Sequence, residues 1–438
     1  MKVYQRTASG LTINWRAVEC WGAGVCLFQQ MGAFFPLILA DADGSLSDPA
    51  KAKLRLLSLP VYAFAGMILI QNSPQFLMAL RRNLLLPLML TLPFVSVLWS
   101  VSPSLTLRRA VGLLFTALLA YVLAIRFTPR QLLLLVFATL GTCIVLSVAI
   151  LAVSPHLARM PDGEMRGIFI HKNGLGWYAS IMVLLATAVL FDGTLGLRRT
   201  AFILLIASVV CLVGSGSMTA MIATVSAYCL IGFYVVLQRI RGISRIVFIL
   251  FFVQMSAGIL ISLHEFLVPF LEALGKDATL TGRVPLWELV DQQISDHLLL
   301  GFGFQAFWTD ANPEAWVIWA KIQWMAPHAH NGYRDIMLSF GIIGMTLFVL
   351  MLLRAVRQGA VLHCRDPQYG WLWLNVFTVM ILVMNLTESL FFSPNDVIFT
   401  LFTTAIIMFS LYAPVVATSP YPQRRTPALA TTAELQIS

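Results

Sequence analysis

The sequence predicts an all-α, polytopic membrane protein with about twelve transmembrane helices and one large helical loop on the non-cytoplasmic side. Three observations carry that reading. Of the 438 residues, 59% are hydrophobic and only 11% charged, and mean hydropathy is +0.83, whereas soluble domains carry roughly 25% charged residues. Apolar runs close to the roughly 20 residues needed to cross a bilayer recur along the whole chain. Lys and Arg then favour alternate connections between those runs.

The runs are Cys20–Ala40, Leu54–Ile70, Leu84–Trp99, Ala110–Ile125, Leu132–Val153 and Leu175–Phe191. They continue at Ala201–Val213, Met218–Leu237, Ile246–Leu263, Tyr333–Leu353, Trp371–Leu386 and Val397–Tyr412. Backbone polar groups find no partners in lipid, so each run is expected to be helical. The runs at Leu84 and Ala201 are short. With the N-terminus inside, 17 of the 29 Lys and Arg fall on cytoplasmic segments, including Arg81, Arg126, Arg239 and Arg354. Both termini come out cytoplasmic. The expected organisation is nine helices over residues 1–263, a large periplasmic loop over 264–332, three helices over 333–413 and a disordered cytoplasmic tail over 414–438. The first run resembles a signal peptide at Ala40-Asp41-Ala42, but its length and polar leader favour a retained helix.

The net charge of +9 does not point to nucleic acid, because the cations are dispersed between apolar runs rather than clustered. The six cysteines lie mostly within apolar runs without CxxC spacing, and read as small buried side chains.

The loop over 264–332 is too long to be a mere connection. Thr281-Gly282-Arg283-Val284-Pro285 reads as a helix start, followed by an apolar face at Leu286, Leu289, Val290 and Ile294. Arg283 therefore stands at a helix N-terminus, where free N–H groups and the guanidinium suit a diphosphate. The alternative is a local ion pair with Asp277. Gly301-Phe302-Gly303 reads as a turn, and Asn312-Pro313 opens a second short helix. Trp316, Trp319 and Trp324 on or after that helix suit an interfacial aromatic belt or a stacking face for sugars.

Pro327-His328-Ala329-His330-Asn331 precedes the tenth run. Histidine there can relieve a hydroxyl nucleophile of its proton; the alternatives are metal ligation with Asp335 or a structural polar contact. A second outer segment, Arg166 to Gly174, combines Arg166, His171, Lys172 and Asn173 at a glycine-flanked helix start, a further phosphate-binding pattern or a cation ring on lipid phosphates. Asp41 and Asp43 form a competing candidate site for a divalent cation. Glu388, an ionisable group near the outer end of the eleventh run, is a functional candidate by default.

These motifs have a familiar order: Arg166-Gly-Ile-Phe-Ile-His-Lys-Asn-Gly-Leu-Gly176, Gly282-Arg283 with Trp287, Gly301-Phe-Gly303, and His330-Asn331 before Gly341-Ile-Ile-Gly344. With Trp99-Ser-Val-Ser-Pro103 and Leu107-Arg-Arg109 they resemble the bacterial O-antigen ligase and exopolysaccharide (O-antigen) polymerase superfamily over about residues 95 to 395. The resemblance implies a multi-spanning, GT-C-like, inverting and metal-independent glycosyltransferase of the bacterial inner membrane, without cofactor. Its donor would be an undecaprenyl-diphosphate-linked oligosaccharide used at the periplasmic face. By the same resemblance, His330 engages the acceptor hydroxyl, Arg283 and Arg166 hold the diphosphate, and Lys172 supports them, with His328, Asn331, His171, Asn173 and Glu388 as auxiliary candidates. Candidate protein partners are a chain-length regulator or export machinery.

The ligases of this superfamily carry an arginine at the start of the eighth span, where this chain reads Gly214-Ser-Gly-Ser-Met218-Thr-Ala. That difference favours polymerisation of exopolysaccharide repeat units. The alternatives are ligation of finished glycan to lipid A core or protein, and, in another class, a transporter or flippase of lipid-linked saccharides. Transport calls for ionisable groups deep within spans, whereas here they gather at one edge and in one loop.

Overall fold

The computed structural model describes residues 14–39, 46–273 and 283–417. Asp41, Asp43, Asp277, Thr281, Gly282 and the tail from Thr418 lie outside the described residues. Among the described residues every regular element is helical, apart from one isolated bridge between Arg159 and Met165. The helices are α1 (Trp15–Gln30), α2 (Phe35–Leu39), α3 (Asp48–Gln71), α4 (Ser73–Arg82), α5 (Leu85–Val95), α6 (Pro103–Arg126), α7 (Pro129–Val153), α8 (Pro155–Ala158) and α9 (Lys172–Phe191). They continue with α10 (Arg198–Gly214), α11 (Met218–Arg239), α12 (Ile243–Ala273), α13 (Arg283–Asp296), α14 (Pro313–Ile322), α15 (Gly332–Arg365), α16 (Trp371–Met384) and α17 (Val397–Ala417).

The apolar runs fall on these helices, but the first, Cys20–Ala40, is split between α1 and α2 by a turn in which Phe34 takes φ 58°, rather than forming one span. Six helices are both long and apolar enough to cross a membrane, or seven if the pair α4 and α5, bent by 91°, counts as one span. This is an all-helical polytopic membrane protein. The helix starts follow from local chemistry. Proline opens α6, α7, α8 and α14, where its missing N–H costs nothing. Thr128 and Gln131 close a reciprocal capping box on α7.

Side-chain burial shows the layering. Nearly every described residue of α17 is buried, from Val397 through Phe402, Ile406 and Phe409, as befits a helix apolar on all faces at the centre of a bundle. It packs on α6 and α15, while α9 packs on α10, α11 and α7. By contrast α10 exposes Phe202, Ile203, Ile206 and Val213, and α12 exposes Ile246, Leu250 and Phe251. Contiguous apolar rows of this kind need lipid or another chain against them.

Bonds between connections sort into two sets, one at each end of the bundle. At the end predicted to be inner, Arg126 forks Glu19 at 2.8 Å, Arg130 pairs with Asp192 at 3.0 Å, and Gln238 meets His363 at 2.8 Å. At the opposite end, Phe34 bonds to Ile168, Val101 to Phe302, and Met165 to Gly214 through their backbones.

The stretch between α12 and α15 has a small core of its own, in which Leu286, Val290, Phe302, Phe307, Ile318 and Trp319 are buried. Trp319 is therefore packing material rather than part of an aromatic belt or a sugar platform. The apolar face expected at Leu286, Leu289, Val290 and Ile294 does face this core. The segment rests on α15 where that helix breaks: Gly341 has φ 61° and ψ −157°. A Cβ at Gly341 would lie 2.3 Å from the Leu299 carbonyl carbon, so only glycine fits. Across the break, Ile342 N–H donates to Leu298 and Phe302 N–H to Leu338, at 2.8 and 2.7 Å.

Candidate active site

The outer-edge candidates converge on one carboxylate. Glu388 lies in the connection from α16 to α17, with its side chain 3% exposed. Asn385, buried at the head of that connection, accepts the N–H groups of Leu390 and Phe391 at 2.8 and 3.1 Å and curls it inward. Gly332 N–H then donates to the carbonyls of both Asn385 and Glu388, tying the curl to the start of α15.

Arg283, the first residue of α13, donates to Glu388 Oε1 at 3.1 Å and to the Thr387 carbonyl. Asn173, in the first turn of α9, donates to the same Oε1 at 3.4 Å. The Nδ1 of His330 lies 4.0 Å from Oε2, beyond hydrogen-bond range, and has no hydrogen-bond partner among the described residues. His330 also takes φ 50°, a left-handed conformation uncommon outside glycine, though histidine tolerates it better than most side chains. The turn is held because His328 Nδ1 accepts the His330 N–H at 3.2 Å. Asn331, next in line, caps α15 by accepting from Tyr333 and Arg334 N–H groups, both at 3.1 Å.

Burial sets the electrostatics. It pushes His330 down to about 3, helped by the charges of His328, Arg283 and His171, so the ring is neutral at physiological pH. Burial also lowers His328, with Arg283 acting the same way and Asp335 opposing. Glu388 is raised by burial and pulled back by Arg283.

Thr219 was not legible as a site feature in the sequence, and the contacts that bring Asp335 and Trp324 to the site were not legible either. Thr219, in the first turn of α11, shares a 2.7 Å hydroxyl contact with Thr387 beside Glu388. It reaches that place because Gly176 lets α9 approach closely; a Cβ there would lie 2.6 Å from Ser217 Cβ. Asp335 accepts from Trp308 Nε1 at 3.2 Å, from Ala329 N–H at 3.1 Å and from the Ser389 hydroxyl. It thereby joins the loop core, the histidine turn and the Glu388 connection. Trp324 lies 5.7 Å from the His330 ring, centroid to centroid. These are contacts between distant segments, which no local spacing announces.

Arg166 and Lys172 stand apart from this cluster. The Arg166 guanidinium donates to the Leu157 carbonyl at 3.0 Å. Lys172 pairs with Asp162 at 3.0 Å and with Glu164. His171 serves as N-cap of α9, its Nδ1 accepting the Asn173 N–H at 3.2 Å. Among the described residues no three His, Cys, Asp or Glu gather as metal ligands.

Residues 202–349, from α10 through the break in α15, match the family model described as O-Antigen ligase. That bears out the resemblance to the O-antigen ligase superfamily. The matched stretch holds Thr219, Arg283, His328, His330 and Asp335, while Asn173 and Glu388 lie outside it. The chain is also 30% identical over 271 residues to the exopolysaccharide production protein ExoQ of Rhizobium meliloti (strain 1021), covering 60% of this chain. That alignment spans 61% of the relative's own length.

Proposed function

We propose that this protein is a glycosyltransferase of the bacterial inner membrane that polymerises undecaprenyl-diphosphate-linked oligosaccharide repeat units into exopolysaccharide at the periplasmic face. The reading is supported by one observation above all: a half-buried arginine, a neutral imidazole and a buried carboxylate from three separate segments meet at the end of the bundle that carries the long loop. The exopolysaccharide production relative favours polymerisation over ligation, as does Thr219 in place of a cation at the start of α11.

In the proposed reaction the acceptor hydroxyl oxygen attacks the anomeric carbon from the face opposite the diphosphate. The new C–O bond forms as the bond to the diphosphate breaks, and its electron pair leaves with the diphosphate, which inverts the centre. The hydroxyl proton passes to His330, whose developing charge the nearby Glu388 carboxylate offsets. The donors that Arg283 does not spend on Glu388 and Thr387 stabilise the leaving diphosphate. Arg166 and Lys172 form an outer ring of cations, available once Lys172 exchanges its carboxylates for phosphate.

The test is extension of purified lipid-linked repeat units by the purified protein in detergent, with and without chelator. Longer chains in both conditions support the reading; repeats left at unit length, with the protein folded, reject it. Full-length chains accumulating on carrier lipid in a null strain would point to ligation instead.

A further inference from the structure

We propose that the groove between α13 and α14 is the docking site for the acceptor glycan, a hydroxyl-rich saccharide chain whose terminal sugar reaches His330. This rests on the transferase reading above and assigns that reaction's second substrate a place. The groove has a volume of about 400 Å³ and is lined by Pro285, Glu288, Leu289, Lys321, Ile322 and Trp324. That size falls within the range of small-molecule sites.

Its chemistry suits a sugar. Pro285 and Leu289 give an apolar floor, and Glu288 and Lys321 supply an acceptor and a donor for hydroxyls from opposite helices. Trp324 gives an aromatic face, amphipathic as the faces of pyranose rings are. The residue is 37% exposed. The other four tryptophans of the 264–332 segment spend their indole N–H on protein: Trp287 on Ala329, Trp308 on Asp335, Trp316 on Asp310 and Trp319 on Ala326, at 2.9 to 3.2 Å. Trp324 makes no such bond among the described residues, which leaves its N–H without a protein acceptor there.

Position completes the case. Trp324 is the link between groove and site, because its ring lies 5.7 Å from His330. An acceptor chain lying on Trp324 would present its end sugar to the imidazole, while Arg283, one turn before Glu288 on α13, faces Glu388 on the site's other side. Donor diphosphate and acceptor chain would then approach from different directions, as displacement from the face opposite the leaving group requires.

The experiment uses the full chain in detergent and, as probe, oligosaccharide fragments released from the producing cell's own extracellular polysaccharide. Titration calorimetry should show binding to the unaltered protein. Trp324→Ala and the pair Glu288→Gln with Lys321→Ala should each weaken it roughly tenfold or more, with Trp324→Phe restoring most of it. In the extension assay the same variants should raise the acceptor KM and leave the donor KM unchanged. Fragments that fail to bind the unaltered protein, or that bind Trp324→Ala and the paired variant equally well, overturn the proposal. The transferase reading fails separately: fragments would bind through the groove, yet the protein would extend no chains.

Discussion

Glu388 accepts a hydrogen bond from Arg283 at 3.1 Å with one carboxylate oxygen and faces His330 Nδ1 at 4.0 Å with the other. The contact with Arg283 is closed and the gap to His330 is open. The carboxylate fixes the cation outright and leaves the imidazole room to adjust when a substrate arrives.

Arg283→Lys should lower chain extension by about 10²-fold or more, because an ammonium cannot hold Glu388 and the Thr387 carbonyl and still present donors to a diphosphate. The variant should appear in the membrane at the normal level. Polymer at the unaltered rate would remove Arg283 from catalysis.

His330→Ala should abolish extension without loss of the folded protein. Because burial holds the His330 pKa near 3, the neutral ring persists as pH falls from 8 to about 5. Initial rates should show no histidine step near 6.5. The same shift acts on stability: the unfolded chain takes up the proton below its ordinary 6.5, so this contribution is fully present above that value and is lost as pH falls towards 3. Melting temperatures across pH 4 to 8 check the sign.

Asp335→Ala strands three donors, from Trp308, Ala329 and Ser389. Each unsatisfied buried donor costs about 1–3 kcal/mol, so the melting temperature in detergent should drop clearly. Asp335→Asn, which keeps one acceptor oxygen, should recover part of the loss. Equal melting temperatures for all three proteins would remove Asp335 from its joining role.

Lys172→Gln removes a half-exposed ion pair with Asp162 and Glu164, and such pairs contribute about 0–1 kcal/mol. Stability should barely move. If Lys172 also meets the donor phosphate, extension should still fall at least tenfold, and an unchanged rate would take it out of the donor site.

The helices were legible in the sequence because lipid imposes one rule on every span: apolar and helical together. The outer helices were legible too, from Pro313 after Asn312 and from the face at Leu286 and Val290. Of the site, Arg283, His330, Asn173 and Glu388 could be nominated one by one, since charge and imidazole at a membrane edge are conspicuous. Their meeting at Glu388 was not legible, because it depends on the Asn385 curl and on the close approach that Gly176 permits. For the same reason Arg166 and Lys172 read as equals of Arg283, although local carboxylates and a carbonyl already engage them. Trp319 misled because a tryptophan in a loop looks superficial until the small core beneath it is seen.

The interruption at Gly341 divides α15 into two mechanical parts. The upper part, residues 332–340, carries the histidine turn at its head, and the Leu298–Phe302 turn braces both parts, bonding Leu338 above the break and Ile342 below it. The histidine turn is thereby held in a fixed register to the bundle, clamped at a residue whose missing side chain lets the Leu299 backbone close on it. Any residue larger than glycine at that single point would push the clamp open and unseat the imidazole without touching it.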